Sequence, residues 1–141
     1  MRWSKLKQQI ESGLAADVAG RVQFHTTRYR NAHDNMGRSW ITVDGVEILN
    51  MQHLSGPSSS EHPDQHKNGV FTAYDLPNAM SQFLNMNIDD ALSSANPLIR
   101  AIAVMDRRAG KRRIQLLDPS SETFPVTTFI RLRQTESDNA G

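Results

Sequence analysis

The stretch Ser39-Trp-Ile-Thr-Val-Asp-Gly-Val-Glu-Ile-Leu-Asn-Met51 decides the fold, because two β-rich runs flank an Asp-Gly pair. Asp44-Gly45 suits a two-residue type I′ turn, which needs positive φ at both central positions and matches the twist of its strands. This stretch therefore predicts a tight β-hairpin. Residues 21–30 alternate with period two, which predicts a preceding strand with Val22 and Phe24 on its buried face. Together these strands predict an antiparallel meander.

The N-terminal segment has apolar residues at every fourth position from Ser4 to Val18. This spacing places them on one stripe of an amphipathic helix, with Ser4 as its N-cap and Gly20 as its stop. The stripe consists of Leu6, Ile10, Leu14 and Val18.

Three more helices are predicted after residue 70. The first has apolar residues at helical spacing from Leu76 to Leu84, with Asp75 as N-cap. The second covers residues 88–94, whose acidic first turn suits the helix dipole. The third starts at Asn96-Pro97, stops at Gly110 and is the most apolar, so we expect it to be the most buried.

Two strands are predicted near the C-terminus, over Lys111–Leu117 and Val126–Arg133. The sequence thus predicts an α+β fold in a single domain: an N-terminal helix, a three-strand antiparallel meander, two to three helices and two C-terminal strands. The domain covers residues 1–133 with a mobile loop at about 52–69, since that segment is polar and rich in Ser and His. Residues 134–141 form a polar tail.

Composition excludes several chemistries. The 141 residues include no Cys, so disulfides, thiolate nucleophiles and zinc-thiolate sites are ruled out, and a reducing, cytoplasmic location is expected. The N-terminus lacks the apolar stretch of a secretory signal, and we expect no membrane association. The net charge of +1 hides basic ends and an acidic middle. Such segregation suits a polyanion partner, but the segments can also meet within one fold or across a homo-oligomer interface.

The densest charge cluster is Asp106-Arg-Arg-Ala-Gly-Lys-Arg-Arg113, with five cations and one anion in eight residues. Arg side chains bind phosphates with paired hydrogen bonds, so this cluster is a candidate nucleic-acid-binding patch. Its residues are Arg107, Arg108, Lys111, Arg112 and Arg113, with Arg131 and Arg133 on a neighbouring strand.

The alternative is that the cluster serves the fold. Arg107 and Arg108 would then lie in the last turn of the third of these helices, where a cation gains about 0.3–1 kcal/mol from the helix dipole. Residues 111–113 would protect an exposed strand edge from aggregation.

Histidines suggest two further sites. His53, His62 and His66 could be drawn as metal ligands, but Pro63 disfavours helical geometry at His62, so we expect no metal and no cofactor. His25 and His33 lie near several Arg residues, as a metal-independent hydrolase or ribonuclease would require. No nucleophile or phosphate-loop motif accompanies them.

Four blocks of sequence resemble a family of small, uncharacterised bacterial proteins. They are Trp3-Ser4-Lys5-Leu6-Lys7, Gly20-Arg21-Val22, Trp40-Ile-Thr-Val-Asp-Gly and Asp106-Arg-Arg-Ala-Gly-Lys-Arg. The resemblance covers nearly the whole chain and implies a bacterial, single-domain, cytoplasmic protein of unknown role. It supplies no activity or catalytic residues.

Two functions follow as expectations. The first is a small non-catalytic binding or assembly protein of the cytoplasm that contacts nucleic acid through the basic cluster. The second is a metal-independent hydrolase or ribonuclease that uses His25 or His33. The sequence names no catalytic residue beyond these two histidines, and the partner is either nucleic acid, another copy of the chain or an unknown molecule.

Overall fold

The structure, a computed structural model, describes residues 2–27, 38–52 and 71–140. Its helices and strands in chain order are α1 (Trp3–Ser12), β1 (Val22–Thr27), β2 (Arg38–Val43), β3 (Val46–Gln52), α2 (Asp75–Phe83), α3 (Ile88–Leu92), α4 (Pro97–Met105), α5 (Lys111–Gln115), a short 3-10 helix (Pro119–Ser121) and α6 (Val126–Ala140). The predicted N-terminal helix, three-strand antiparallel sheet and later helices are confirmed. The prediction of two C-terminal strands is wrong, because both segments contain helices.

The hairpin forms as predicted. Asp44 has φ of 53° and Gly45 has φ of 82°, the positive values that a type I′ turn requires. The strand order is β1-β2-β3 with antiparallel pairing, and a register shift opposite Ile41 and Thr42 leaves Ile48 of β3 without a paired residue. Arg21 donates two hydrogen bonds to the Asp44 carboxylate, at 2.9 and 2.8 Å. These bonds lower the pKa of Asp44 and fasten the turn to the start of β1.

The open edge of β1 is covered by two side chains of α1. Glu11 Oε2 accepts a hydrogen bond from the Phe24 backbone N–H at 2.9 Å, and Lys7 Nζ donates to the Phe24 carbonyl at 2.7 Å. Lys7 and Glu11 also pair with each other one helical turn apart. Both backbone groups that β1 would offer to another strand at this point are therefore satisfied within the chain.

The N-terminal helix is shorter than predicted. All four residues of its apolar stripe are buried, yet α1 ends at Ser12, and Leu14 and Val18 lie beyond it. Arg2, not Ser4, occupies the N-cap position. Gly20 has φ of 81° in the turn that leads into β1, so it shapes that turn and does not stop the helix.

The helices of the second half follow the predicted pattern with two corrections. Asn96 caps α4 by accepting the Leu98 N–H at 2.9 Å, Pro97 is its first residue, and eight of its nine residues are buried. Asp75 is the first residue of α2 and not its N-cap. The predicted stop at Gly110 is also wrong, because α4 ends at Met105 and Gly110 takes the N-cap position of α5.

The predicted C-terminal strands are helices. In α6 the buried residues recur at helical spacing, although Val126, Thr128, Ile130 and Leu132 also stand at alternate positions, as on one face of a strand. A short apolar run fits both periods, and packing against α4 decides between them. The buried set is Val126, Phe129, Ile130 and Arg133. Residues 134–140, predicted as a polar tail, belong to the last turns of α6.

Arg133 fastens α6 to the rest of the molecule and is only 2% exposed. Its Nη1 donates to the Val104 carbonyl at 3.0 Å and to the Ala109 carbonyl, and its Nε donates to Asp17 Oδ2 at 3.3 Å. One guanidinium thus satisfies a carbonyl in the last turn of α4, the turn that follows, and a carboxylate from the N-terminal segment.

None of the helices in the described ranges has the length and apolar character that crossing a membrane requires. The predicted mobile loop at about 52–69 lies outside the described residues, apart from Gln52, which is the last residue of β3.

Gly45 offers a test of the hairpin. Gly45→Ala forces an L side chain into the left-handed region and should cost about 1–2 kcal/mol of unfolding free energy, measured by urea denaturation. Gly13→Ala is the matched control, because φ is −94° there and the added carbon would meet its nearest neighbour at 3.5 Å. Equal losses in the two variants would contradict a strained turn.

Arg133 offers a test of the anchor. Arg133→Met should lower the free energy of unfolding by about 3–5 kcal/mol, because it leaves the Asp17 carboxylate buried and uncompensated. Adding Asp17→Asn to that variant should recover part of the loss. Arg131→Met, on the exposed side of the same helix, should stay within about 0.5 kcal/mol of the unsubstituted protein. A similar loss in both single variants would show that the anchor has no special role.

Candidate anion-binding cleft

The basic cluster lies in the turn between α4 and α5 and in the first residues of α5. A two-residue antiparallel bridge holds this turn against the segment that follows α1: the Ala15 N–H donates to the Met105 carbonyl at 2.8 Å, and the Arg107 N–H donates to the Gly13 carbonyl at 2.9 Å. This bridge places Arg107 beside residues 15–17. The position of Arg107 therefore depends on contact between two segments that are about ninety residues apart in sequence.

An open cleft of about 450 Å³ lies where these segments meet. One wall is the segment Ala15–Asp17, and the other includes Arg107, Gly110 and Lys111. Arg133 contributes from α6 and is almost completely buried. The cleft therefore presents three cationic side chains and one carboxylate to a ligand.

Two members of the predicted patch are engaged within the chain. The Arg108 Nε and backbone N–H both donate to Asp106 Oδ1, at 3.0 and 2.8 Å, and its guanidinium lies 5.3 Å from the centre of the Phe83 ring. Arg113 forms an ion pair with Asp89 of α3. Arg108 thus holds the turn after α4 against Phe83 of α2, and Arg113 joins α5 to α3.

All five members are exposed, and the other three differ from Arg108 and Arg113 in their pairing. Arg107, Lys111 and Arg112 form no ion pair with any side chain in the parts of the chain that the structure describes. Both fold-serving explanations are wrong. Arg107 and Arg108 follow the end of α4 and do not lie in its last turn, and Lys111–Gln115 is a helix with no strand edge to protect.

Arg107 also borders a second opening of about 310 Å³ on the side of α1 and α2. Gln9, Gly13 and Phe83 contribute to it, together with Asp106 and Arg108. Arg107 thus stands between two depressions, which gives its guanidinium access to a ligand lying in either.

His25, a candidate for catalysis, lies on the face of the sheet that points away from the core. Its ring stacks on Trp40 of β2, with centroids 5.0 Å apart, and its Nε2 is 2.9 Å from Thr42 Oγ1. The Arg38 guanidinium lies 4.1 Å from the centre of the Trp40 ring. Desolvation lowers the pKa of His25 below its ordinary value of 6.5, and Lys7 and Arg38 lower it further against an opposing effect of Glu11. The imidazole is therefore mainly neutral at neutral pH, and two neighbouring side chains, those of Trp40 and Thr42, contact it.

The remaining histidine candidates, His33, His53, His62 and His66, lie outside the described residues. Within residues 2–27, 38–52 and 71–140, no group of three His, Asp or Glu side chains could hold a metal ion.

The sequence prediction puts Arg133 only on a strand beside the cluster and gives Asp17 no role, whereas both residues line the cleft. The signal for Arg133 is its position in α6, where it continues the spacing of Val126, Phe129 and Ile130 and so falls on the buried stripe. A cation at such a position requires a buried acceptor, which Asp17 supplies.

The lowered pKa of His25 predicts a pH dependence of stability. Because the folded protein binds a proton at His25 less readily than the unfolded chain, stability is greatest above pH 6.5 and falls as the pH drops through 6.5 towards the folded pKa. Thermal melts between pH 7.5 and 5 should show this decline. His25→Gln should reduce it, and an unchanged slope in that variant would assign the decline to other groups.

Comparison with known proteins identifies a family. No match was found among curated proteins or among solved structures. The model of the SF0329 protein family matches residues 2–65 and 57–134. Because these two segments together cover nearly the whole sequence, the chain belongs to the SF0329 protein family.

Proposed function

We propose that this protein is a non-catalytic binding protein that contacts nucleic acid through Arg107, Lys111 and Arg112. One observation carries the proposal: these three neighbouring exposed cations form no ion pair with a described side chain, while Arg108 and Arg113 do form ion pairs. Holding side chains of like charge together on the surface is unfavourable for the fold, and an anionic partner offsets that repulsion. The regularly spaced phosphate groups of a nucleic acid backbone are the partner that best fits these three cations.

The arrangement favours contact with the backbone over recognition of base sequence. Arg and Lys on a turn and a five-residue helix can reach phosphate oxygens, but α5 is too short to present a long recognition surface to a groove. The aromatic side chains on the outer face of the sheet already contact each other and Arg38. The proposed binding is therefore largely independent of sequence and sensitive to salt.

The hydrolase alternative rests on His25 and His33. The contacts of His25 with Trp40 and Thr42 favour a structural role for its ring. No observation in the described residues favours the hydrolase over the binding protein. The cytoplasmic location, expected from the lack of cysteine, stays a prediction.

The proposal is tested by a matched pair of variants on one helix. Arg112→Ser and Arg113→Ser remove the same charge from adjacent positions, but only Arg112 has its charge available for a ligand. Fluorescence anisotropy with a random single-stranded oligonucleotide should show affinity falling linearly in log salt, by about 0.7 per phosphate contacted. Arg112→Ser should reduce that slope by about one contact, and Arg113→Ser should leave it near its original value.

Two outcomes would contradict the proposal. The first is the absence of binding at low salt. The second is an equal change of slope in the two variants, which would mean that net charge alone, and not the placement of Arg112, governs the interaction. A thermal melt of each variant checks that the fold is retained.

A further inference from the structure

The side chains that line the cleft carry an excess of two positive charges. Among the described residues, Arg107, Lys111 and Arg133 line it, and Asp17 is the one carboxylate that does so. A phosphodiester inside a strand carries one negative charge, whereas a terminal phosphomonoester carries about 1.5 to 2 at neutral pH. The charge of the cleft therefore matches a strand end better than a strand interior.

The three cations differ in how they are held. Arg133 is fixed by two backbone carbonyls and Asp17, so its position needs no rearrangement when a ligand arrives. Its near-complete burial also strengthens its field, because little water screens it. Arg107 and Lys111 are exposed on the opposite wall and can close on an anion from the solvent side. One fixed cation, Arg133, together with two exposed and adjustable cations suits a compact anion with several acceptor oxygens, such as a phosphate group.

Asp17 adds a second observation. Its Oδ2 accepts from Arg133, while its Oδ1 is buried and has no hydrogen-bond partner in the described structure. A buried acceptor without a donor is unfavourable, and a hydroxyl group or an ordered water in the cleft would relieve it. In an RNA strand, the ribose next to a terminal phosphate carries such a hydroxyl at its 2′ position.

The size of the cleft limits the ligand. About 450 Å³ falls within the range of small-molecule sites, roughly 300–1,000 Å³, and accommodates one nucleotide but not a duplex. We propose that this cleft binds the terminal phosphomonoester of a nucleic acid strand or of a nucleotide, with Arg107, Lys111 and Arg133 as its cationic ligands. This inference rests on the proposed nucleic-acid function and adds recognition of strand ends to it.

The first measurement compares three single-stranded oligonucleotides of one sequence, labelled at an internal base. One carries a 5′-phosphate, one a 3′-phosphate, and one has hydroxyls at both ends. Fluorescence anisotropy should show at least one phosphorylated strand binding about tenfold more tightly than the hydroxyl-ended strand, as expected for one additional charge-assisted hydrogen bond. Lys111→Ser should abolish the difference.

Gly110 allows binding to be separated from stability. It lines the cleft at the N-cap position of α5, its φ is −69°, and a Cβ there would meet nothing within 4 Å. Asp and Asn are both good N-caps, so Gly110→Asp and Gly110→Asn should fold about equally well, while only Asp adds a negative charge to the cleft. The Asp variant should lose the preference for phosphorylated ends relative to the Asn variant, at matching melting temperatures.

The outcomes distinguish this inference from the function on which it rests. Equal binding of all three strands overturns end recognition and leaves backbone contact standing. Equal preference for phosphorylated ends in the Asp and Asn variants also overturns it, because the preference would then arise outside the cleft. Calorimetry with a nucleoside monophosphate and with inorganic phosphate completes the test. Binding of the monophosphate without binding of any strand supports the cleft and contradicts the nucleic-acid function, and no binding of any probe contradicts both.

Discussion

The buried contact between Arg133 and Asp17 is the interaction on which this structure most depends. It joins residues 116 positions apart and at the same time satisfies carbonyls at the end of α4 and in the turn that follows. Burying an ion pair costs desolvation free energy, so such a pair is poorly explained by stability alone. Its effect here is to fix the place where the N-terminal segment, α4 and α6 meet.

That meeting point is also where the cleft lies. The backbone bridge between residues 13–15 and 105–107 orients the turn that carries Arg107. Arg133 holds the same turn by donating a hydrogen bond to the Ala109 carbonyl. The polar contacts that hold these segments together therefore also position the cationic side chains of the cleft. Arg108 and Arg113 form ion pairs within the fold, so three of the five cations of the cluster are left for a ligand.

Local chemistry explains why much of the fold was predictable. Asp44-Gly45 has few conformations besides a type I′ turn, and Asn96-Pro97 carries both a capping side chain and a fixed φ. Such signals act within a few residues, and they hold best where two of them coincide; the single cap signals at Ser4, Asp75 and Gly110 did not place the helix ends. The predictions that failed concerned segments whose period was ambiguous, such as residues 126–133, or whose helix ended for a non-local reason. Helix α1 ends at Ser12 because Leu14 and Ala15 are drawn into pairing with residues 105–106.

The sequence by itself determined the hairpin, the meander, the apolar helix α4 and the position of a dense cationic cluster, because each depends on neighbouring residues. Only the tertiary structure decided that the last two elements are helices, which cations are paired, and that Arg133 is buried. The physical reason is that burial and pairing are set by partners far away in the chain. Arg133 and Arg131 have identical side chains, and they differ because the packing of α6 against α4 places Arg133 on the buried face, next to Asp17 and the end of α4.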